Sequence, residues 1–396
     1  MNEGVGFILK EVVIVAAKRS AVGSFGGAFL NVPAVDLGAH VIRDVLNSID
    51  LDPKLVGTVI MGNVLQAGLG QNPARQAAIK GGVPFDKPAF TVNEVCGSGM
   101  KAIHLGMQSI LLGDHDVVIV GGFENMSRAP HIITNGRFGA KLTSLESLDI
   151  ILNDGLQDAF TGLPMGITAE NVADQFGITR EEQDAFALKS QMKAIAAIEK
   201  GVFDDEITPI NNGKTTVTVD EHVRMNSSIE ALAKLRPSFK TDGSVTAGNA
   251  SGINDGASAL ILMSREKADE LGLEVFAQLN GFSEIGADPK IMGYAPFDAI
   301  TDLVKKQGLT LNDMDRIELN EAFAAQSIAV CRDLKLDMAR VNVHGGAIAL
   351  GHPLGSSGSR IMVTLVHELR RENLKQGIAS LCVGGGIGLA MRITRF

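Results

Sequence analysis

“NEVCGSGMKA”, Asn93–Ala102, is the stretch on which the reading of the fold turns. A cysteine sits there at a strand-to-helix turn with Gly97, Ser98 and Gly99 behind it. Met100, Ile103, Met107, Ile110 and Leu111 then recur at helical spacing. A β-branched run bounded by glycine, “DVVIVGG” from Asp116, comes next. Strand, turn, helix and strand in that order make an α/β unit. Later the chain echoes it: “GHPLGSSGS”, Gly351–Ser359, opens a helix carrying Ile361, Leu365 and Leu369, and “ASLCVGGG” from Ala379 supplies the strand that follows. Two like halves would bring their turns together across a pseudo-twofold axis. Between them, strand signals thin out into polar connections and helices such as “TREEQDAFALKSQMKAIAAIEKG”. The expectation is therefore an α/β fold with a first half over 1–125, completed by about 253–274. An inserted, mostly helical region covers 126–252, and the second half covers 275–396.

Composition narrows the function classes. With 45% apolar and 20% charged residues the chain is globular, and disorder, collagen-like repeats and coiled coil are excluded. A net charge of -9 argues against a nucleic-acid or membrane surface, leaving room only for a local basic pocket. Cys96, Cys331 and Cys382 form neither a disulfide framework nor a CxxC pair, which fits a reducing compartment. No apolar run reaches eighteen residues, and the first twenty residues lack the pattern of a secretory signal. A soluble, cytoplasmic protein is expected.

Four segments can carry chemistry. A cysteine at a helix N-terminus meets the positive end of the helix dipole, so the pKa of Cys96 is expected to fall, and the glycines around it leave backbone N–H groups free for an oxyanion. Taken alone, a free cysteine is more often an inert core residue. His352 precedes Pro353 in a glycine-flanked loop at a helix start, where a histidine can act as acid or base or merely satisfy the loop. Cys382 ends an apolar strand just before Gly384–Gly386, whose backbone can approach a ligand, whereas Cys331 sits at helical spacing with Ile328 and Leu334 and is explained by packing. Asn320 and Glu321 lie at a strand-to-helix junction, where asparagine is often an N-cap but where open α/β sheets also keep their ligand sites. The spacing of His344 and His352 matches no metal motif, so no metal is expected.

Together and in this order, “NEVCGSGMKA”, “NEAFA”, “GGAIALGHPLGSSGSR” and “CVGGGIG” resemble the thiolases, in particular the acetyl-CoA acetyltransferase and 3-ketoacyl-CoA thiolase group. The likeness runs the length of the chain and includes “VIVAAKRSAVGSFGGAF”, “GGFENMSRAPH”, “MGITAENVA” and “VTAGNASGINDGA”. It implies two similar α/β halves forming a layered αβαβα core, with the inserted region as a loop domain covering CoA. It further implies that Cys96, helped by His352, attacks an acyl-CoA thioester and becomes acylated. Cys382 would then trade a proton with the α-carbon of acetyl-CoA in a reversible Claisen condensation. Asn320 holds a water and, with His352, the enolate oxygen; the N–H groups of Cys96 and Gly384 face the acyl oxygen. Carried over by motif, Arg224 lies near the nucleotide of CoA, with Phe239, Ala247 and Ser251 along the pantetheine arm, while Leu156, Met165, Met292 and Phe323 line the acyl end. CoA is substrate and product, and no cofactor is implied. A homodimer or homotetramer is implied, with “SRAPHIITNGRFGAKL” as the tetramer contact.

The chain departs from the family pattern at Pro164, where many biosynthetic members carry histidine, at “MGYAP” (Met292–Pro296), and at His344, where asparagine is common. These put acyl-chain preference in doubt. Three rivals remain. A ketosynthase acting on acyl carrier protein would carry a second histidine at Asn320 and give Cys382 no task. A dinucleotide site would use Gly97, Gly99 and Ala102 with Glu124 as ribose ligand. A non-catalytic acyl-CoA or lipid carrier would retain the scaffold alone.

Overall fold

The computed structural model of the chain describes residues 10–396. Nine strands follow one continuous path through its main sheet. They are β1 (Val12–Ser20), β2 (Thr58–Gly62), β3 (Ala89–Val92), β4 (Val117–Asn125), β5 (Asn254–Ser264), β6 (Ala277–Gly286), β7 (Arg316–Leu319), β8 (Gln376–Val383) and β9 (Ile387–Thr394). Their spatial order is β7-β8-β9-β6-β1-β5-β4-β2-β3. Outward from the central β1–β6 pair, the first half runs β1-β5-β4-β2-β3 and the second β6-β9-β8-β7. Both halves pair an antiparallel second strand (β5, β9) with the next (β4, β8), and those in turn with a parallel neighbour (β2, β7). A lone parallel bridge from Ile317 to Val341 stands where β3 pairs with β2. The repeated order gives structural substance to the echo between the two glycine-rich turns.

Period-2 alternation sorts each strand's side chains into layers. On β1, Val13 and Val15 face one core while Val12 and Ile14 face another; on β4, Ile119 faces the first and Val118 and Val120 the second. The outer core of the first half is closed by helix α1 (Ala34–Asn47). The central core holds helix α2 (Ser98–Leu111), which packs against the last long helix of the chain, and strands of both halves line it. The chain continues through α3 (Met165–Phe176), α4 (Arg180–Glu199), α5 (Ala295–Lys306), α6 (Ala324–Asp333) and that last helix, α7 (Leu354–Arg371). Helices α5 and α6 cover the outer core of the second half. The result is the expected αβαβα layering.

Helix α7 is buried at every position from Leu354 to Leu369, which is why its first turns read as Gly and Ser rather than as large apolar residues. Backbone must pass backbone there: a Cβ on Gly358 would lie 2.5 Å from the Met100 nitrogen, and one on Gly122 would lie 1.9 Å from the Gly355 oxygen. Met100, Ile103, Ile361 and Leu365 fill the interface between the two helices and the sheet, and truncating any of them to alanine costs about 2–5 kcal/mol.

Between β4 and β5 the chain leaves the sheet for α3, α4 and short strand pairs. Arg19, fully buried at the end of β1, ties this excursion down by donating from Nε to Glu206 at 2.5 Å and through both terminal nitrogens to Asp220 at 2.7 and 2.9 Å. The paired carboxylates keep the guanidinium charged against its burial. Removing one partner of so buried a group costs about 3–5 kcal/mol.

Candidate active site

The Cys96 turn is tighter than a simple helix start. Val95 takes φ +46°, a left-handed conformation that a β-branched residue rarely adopts. The turn is held by its own polar groups. The Val95 N–H donates to Asn93 Oδ1 at 3.0 Å, the Glu94 N–H to Ser98 Oγ at 2.8 Å, and Ser98 Oγ to the Val95 carbonyl at 2.7 Å. Cys96 stands ahead of α2, which begins only at Ser98, and the backbone N–H groups of Gly384 and of Cys96 itself act on the thiol.

The expected fall in the Cys96 pKa is not what the structure gives. Burial pushes the thiol up to about 11, the two N–H groups pull it down by less, and the carboxylate of Glu124 adds to the rise. Helix-terminus attraction was the sequence-based argument; desolvation outweighs it. Cys96 is therefore a resting thiol, and a base must take its proton for attack.

His352 shares the cavity of Cys96. Its Nδ1 lies 2.6 Å from Ser357 Oγ, and Ser357 Oγ lies 2.9 Å from the Pro353 carbonyl. A hydroxyl has one proton, so the arrangement that satisfies both contacts has Ser357 donating to Pro353 and accepting from Nδ1–H. That leaves Nε2 deprotonated and without a protein partner. Burial first, and then the charge of Arg360, lower the His352 pKa to about 3, so the ring is neutral at physiological pH.

Cys382, at the end of β8, lies in the wall of the same site. It packs in one cluster with Met165, Ala250, Met292, Ala322 and Phe323, and its thiol is pushed up by burial and then by the nearby charge of Cys96. Asn320 follows β7; its N–H donates to the Ser380 carbonyl at 2.9 Å, and its side-chain oxygen and nitrogen are both buried without a protein partner. Capping does not account for it: the N-cap of α6 is Phe323, with no side-chain cap bond. An amide left with neither group satisfied is costly unless it serves a ligand or a water.

A cavity of about 550 Å³ joins these parts. Cys96 and His352 line it, together with Leu156, Met165, Met292, Phe323, Phe239, Ala247, Ser251 and Arg224. Cys382 packs behind that lining against Met165, Met292 and Phe323, Gly384 lies beside Met165, and Asn320 precedes by two residues Ala322, which lines the cavity. Arg224 is exposed at the rim and donates to the Ala247 carbonyl at 3.2 Å. Pro164 also faces the cavity. The motif reading passed over His222, Leu152 and Ile253, which line it too. His222 lies within “EHVR”, where a polar ring two residues from Arg224 was the available signal; burial lowers its pKa to about 4. Nothing in the sequence marked Leu152.

The remaining candidates fall elsewhere. Glu124 lies inside β4, fully buried, and accepts from Asn63 Nδ2 at 2.9 Å and from the N–H groups of Val64, Leu65 and Gly355 at 3.0–3.2 Å, so no ribose can reach it. That carboxyl, raised to about 7 by burial, joins the start of α7 to the loop after β2. With a mixed sheet of antiparallel centre, it removes the dinucleotide reading. His344 Nε2 pairs with Glu368 Oε2 at 2.7 Å, outside the cavity. Among the described residues no group of three or more His, Cys, Asp or Glu is placed to hold a metal ion, and no helix is long and apolar enough to cross a membrane.

Comparison with known proteins agrees with this geometry. Residues 12–266 match the model of the thiolase N-terminal domain, and residues 273–395 that of the thiolase C-terminal domain. An acetyl-CoA acetyltransferase of Pseudomonas aeruginosa is 55% identical over 98% of this chain and 100% of its own. Among solved structures, the Bacillus anthracis acetyl-CoA acetyltransferase superposes with a TM-score of 0.96 at 45% identity, over 99% of this chain and 100% of that one. Human mitochondrial 3-ketoacyl-CoA thiolase superposes with a TM-score of 0.95 at 46% identity, over 98% and 99%.

Proposed function

The chain belongs to the thiolase family, and from that premise we propose that it moves acyl groups to and from coenzyme A through a thioester on Cys96. The reaction is the condensation of two acetyl-CoA to acetoacetyl-CoA and CoA, or its reverse, thiolysis of a 3-ketoacyl-CoA. CoA enters as substrate and leaves as product, and no metal or further cofactor takes part. The observation that carries the reading is the meeting of Cys96 and the unpartnered Nε2 of His352 at one cavity, with Cys382 in its wall.

In the first half-reaction His352 Nε2 takes the Cys96 proton, the thiolate adds to the thioester carbonyl, and CoA leaves with that proton. The N–H groups of Gly384 and Cys96, which act on the thiol, are the donors proposed to receive the acyl oxygen. In the second, Cys382 exchanges a proton with the α-carbon of acetyl-CoA while the enolate oxygen rests on a water held by Asn320 and on His352 once Nε2 carries a proton; the carbanion then adds to the acyl carbon on Cys96, and the Cys96 sulfur leaves. Burial raises both thiols, so each becomes an anion only while a neighbour holds its proton or balances its charge. Two thiols divide the work between nucleophile and proton carrier.

Segment 126–252 is proposed as the loop domain that covers CoA, with Arg224 toward the nucleotide and Phe239, Ala247 and Ser251 along the pantetheine arm. A homodimer or homotetramer is proposed. The edge strand β3, with Phe90 exposed on it and Phe85 exposed just before it, supports a subunit contact, and Ile133, Phe138 and Leu142, exposed in “SRAPHIITNGRFGAKL”, support a second. A cytoplasmic setting fits the three unpaired thiols.

A longer-chain preference is the second reading. It is favoured by the apolar Pro164 at the cavity and by an equal likeness to acetyltransferase and 3-ketoacyl-CoA thiolase structures. One experiment addresses both: thiolysis of acetoacetyl-CoA compared with longer 3-ketoacyl-CoA, followed by mass mapping of the acylated peptide. Label on a residue other than Cys96 would overturn the proposal, and the ratio of rates decides the chain length.

A further inference from the structure

The other large cavity, about 580 Å³, has no part in the chemistry above. It is a groove between α4 and α6. Helix α4 presents Phe186, Lys189, Ser190 and Lys193 along one face, at the spacing i, i+3, i+4 and i+7. Ile328 and Val341 belong to the opposite wall. Cys331, which packing alone explains in the sequence, lines the groove as well and feels the charges of Glu321 and Lys193.

We propose that this groove binds a small monocarboxylic acid with a short apolar chain, its carboxylate paired with Lys193. Lys193 is half-buried, yet its ammonium, which has three N–H groups, makes a single hydrogen bond, to the Val341 carbonyl at 2.8 Å. Burial lowers its pKa despite the charges of Glu321 and Glu318, both of which are engaged elsewhere or buried, and a further carboxylate offsets what desolvation still takes away. Lining charges set the valence of the ligand. Lys189, Lys193 and Arg332 face Glu182 and Glu321, an excess of one positive charge in the lining; Arg332 is held by Asp333 and the Phe176 carbonyl, which leaves Lys193 to meet the ligand. A single negative charge closes that excess and a dianionic phosphate exceeds it. The apolar walls suit a hydrocarbon tail.

The groove's floor also reaches the catalytic loops. Glu321, next to Asn320, accepts from Ser190 Oγ at 2.6 Å, Asn342 Nδ2 at 2.8 Å and the Ile348 N–H at 3.3 Å. Ser190 Oγ in turn accepts the Gly346 N–H at 3.0 Å. A ligand seated on Lys193 therefore lies against the network that fixes the segment leading to His352.

Calorimetric titration of the full chain with butyrate, in the presence and absence of saturating CoA, tests the site. The expected result is saturable binding with a Kd of about 1 mM or tighter, unaffected by CoA, and weakened about tenfold or more in Lys193→Met. Acetoacetyl-CoA thiolysis measured without butyrate stays unchanged in that variant. Lys189→Glu, at an exposed position, reads the same charge should Lys193→Met fail to fold, and is expected to weaken binding as well. Absence of saturable binding, equal binding in the folded variants, or competition by CoA, which would put butyrate in the catalytic cavity, each overturns the proposal. None of these outcomes bears on acylation of Cys96, so the two readings fail separately.

Discussion

The turn ahead of α2 and the turn ahead of α7 occupy equivalent places in the two halves, yet the chain bends at them by different means. Ahead of His352 the unusual conformation falls on Gly351, at φ +106°, where it costs little. Ahead of Cys96 it falls on Val95, a β-branched residue, and its N–H bond to Asn93 and the bond its carbonyl accepts from Ser98 hold it there. His352 is fixed otherwise, by burial and by Ser357. A duplicated unit thus carries its strain on the side of the nucleophile and its electrostatic tuning on the side of the base.

The contrast can be broken most severely at Cys96. Cys96→Ala is expected to lower thiolysis by about 10³-fold or more, with no acylated peptide by mass spectrometry, because the covalent route is gone. An acylated peptide in that variant would move the nucleophile elsewhere. Asn320→Ala should slow condensation by about 10²–10³-fold while leaving acylation of Cys96 from acetyl-CoA nearly intact, as read by single-turnover release of CoA. Equal loss in both half-reactions would mean that the amide serves the turn instead of the enolate.

Smaller effects separate tuning from strain. Ser357→Ala frees the ring of His352 to take either tautomer and is expected to reduce acylation by about 10- to 10²-fold, with Ser357→Thr restoring most of it. No rescue would point to packing. His352 also leaves a mark on stability. Its pKa is about 3 in the native state against an ordinary value of 6.5, so between those values the unfolded chain holds a proton that the folded chain refuses. The stability it contributes is present above pH 6.5 and lost as pH falls toward 3. Melting temperatures of His352→Gln should consequently decline less than wild type on acidification, and parallel curves would contradict the assigned charge state. Finally, Val95→Gly relieves the left-handed strain and should cost about 1 kcal/mol less than Val92→Gly in an ordinary strand, measured by denaturant unfolding. Equal costs would show Val95 to be unstrained.

Much of this architecture was legible because glycine marks where backbone bends or nears another group. The turns at Gly97–Gly99, Gly351–Ser359 and Gly384–Gly386 could be placed from sequence alone, and with them Cys96, His352 and Cys382. Their convergence followed from the two halves having one strand order. What stayed hidden depends on the surroundings of a side chain, which spacing does not encode. A helix start predicts an acidified Cys96, but the helix begins two residues later, and the burial that governs the pKa comes from distant core segments, against the pull of the Gly384 N–H. Glu124 resembled a ribose ligand and is an internal brace. Cys331 was assigned wholly to packing because nothing in its helix signals the groove that α4 leaves open.

Helix α7 has one further consequence, for the order in which the molecule is made. It is encoded by residues 354–371 of 396, yet it is the wedge against which β1, β4, β5 and α2 of the first half pack. During synthesis those strands, ending at Ser20, Asn125 and Ser264, emerge 90 to 334 residues before the element that closes over them begins at Leu354. Until translation nears its end, Met100 and Ile103 have no native cover, and the nascent polypeptide carries a sticky, half-built interior. Fragments ending before Leu354 should accordingly aggregate instead of folding as a free-standing half, and the growing chain is a natural client for molecular chaperones.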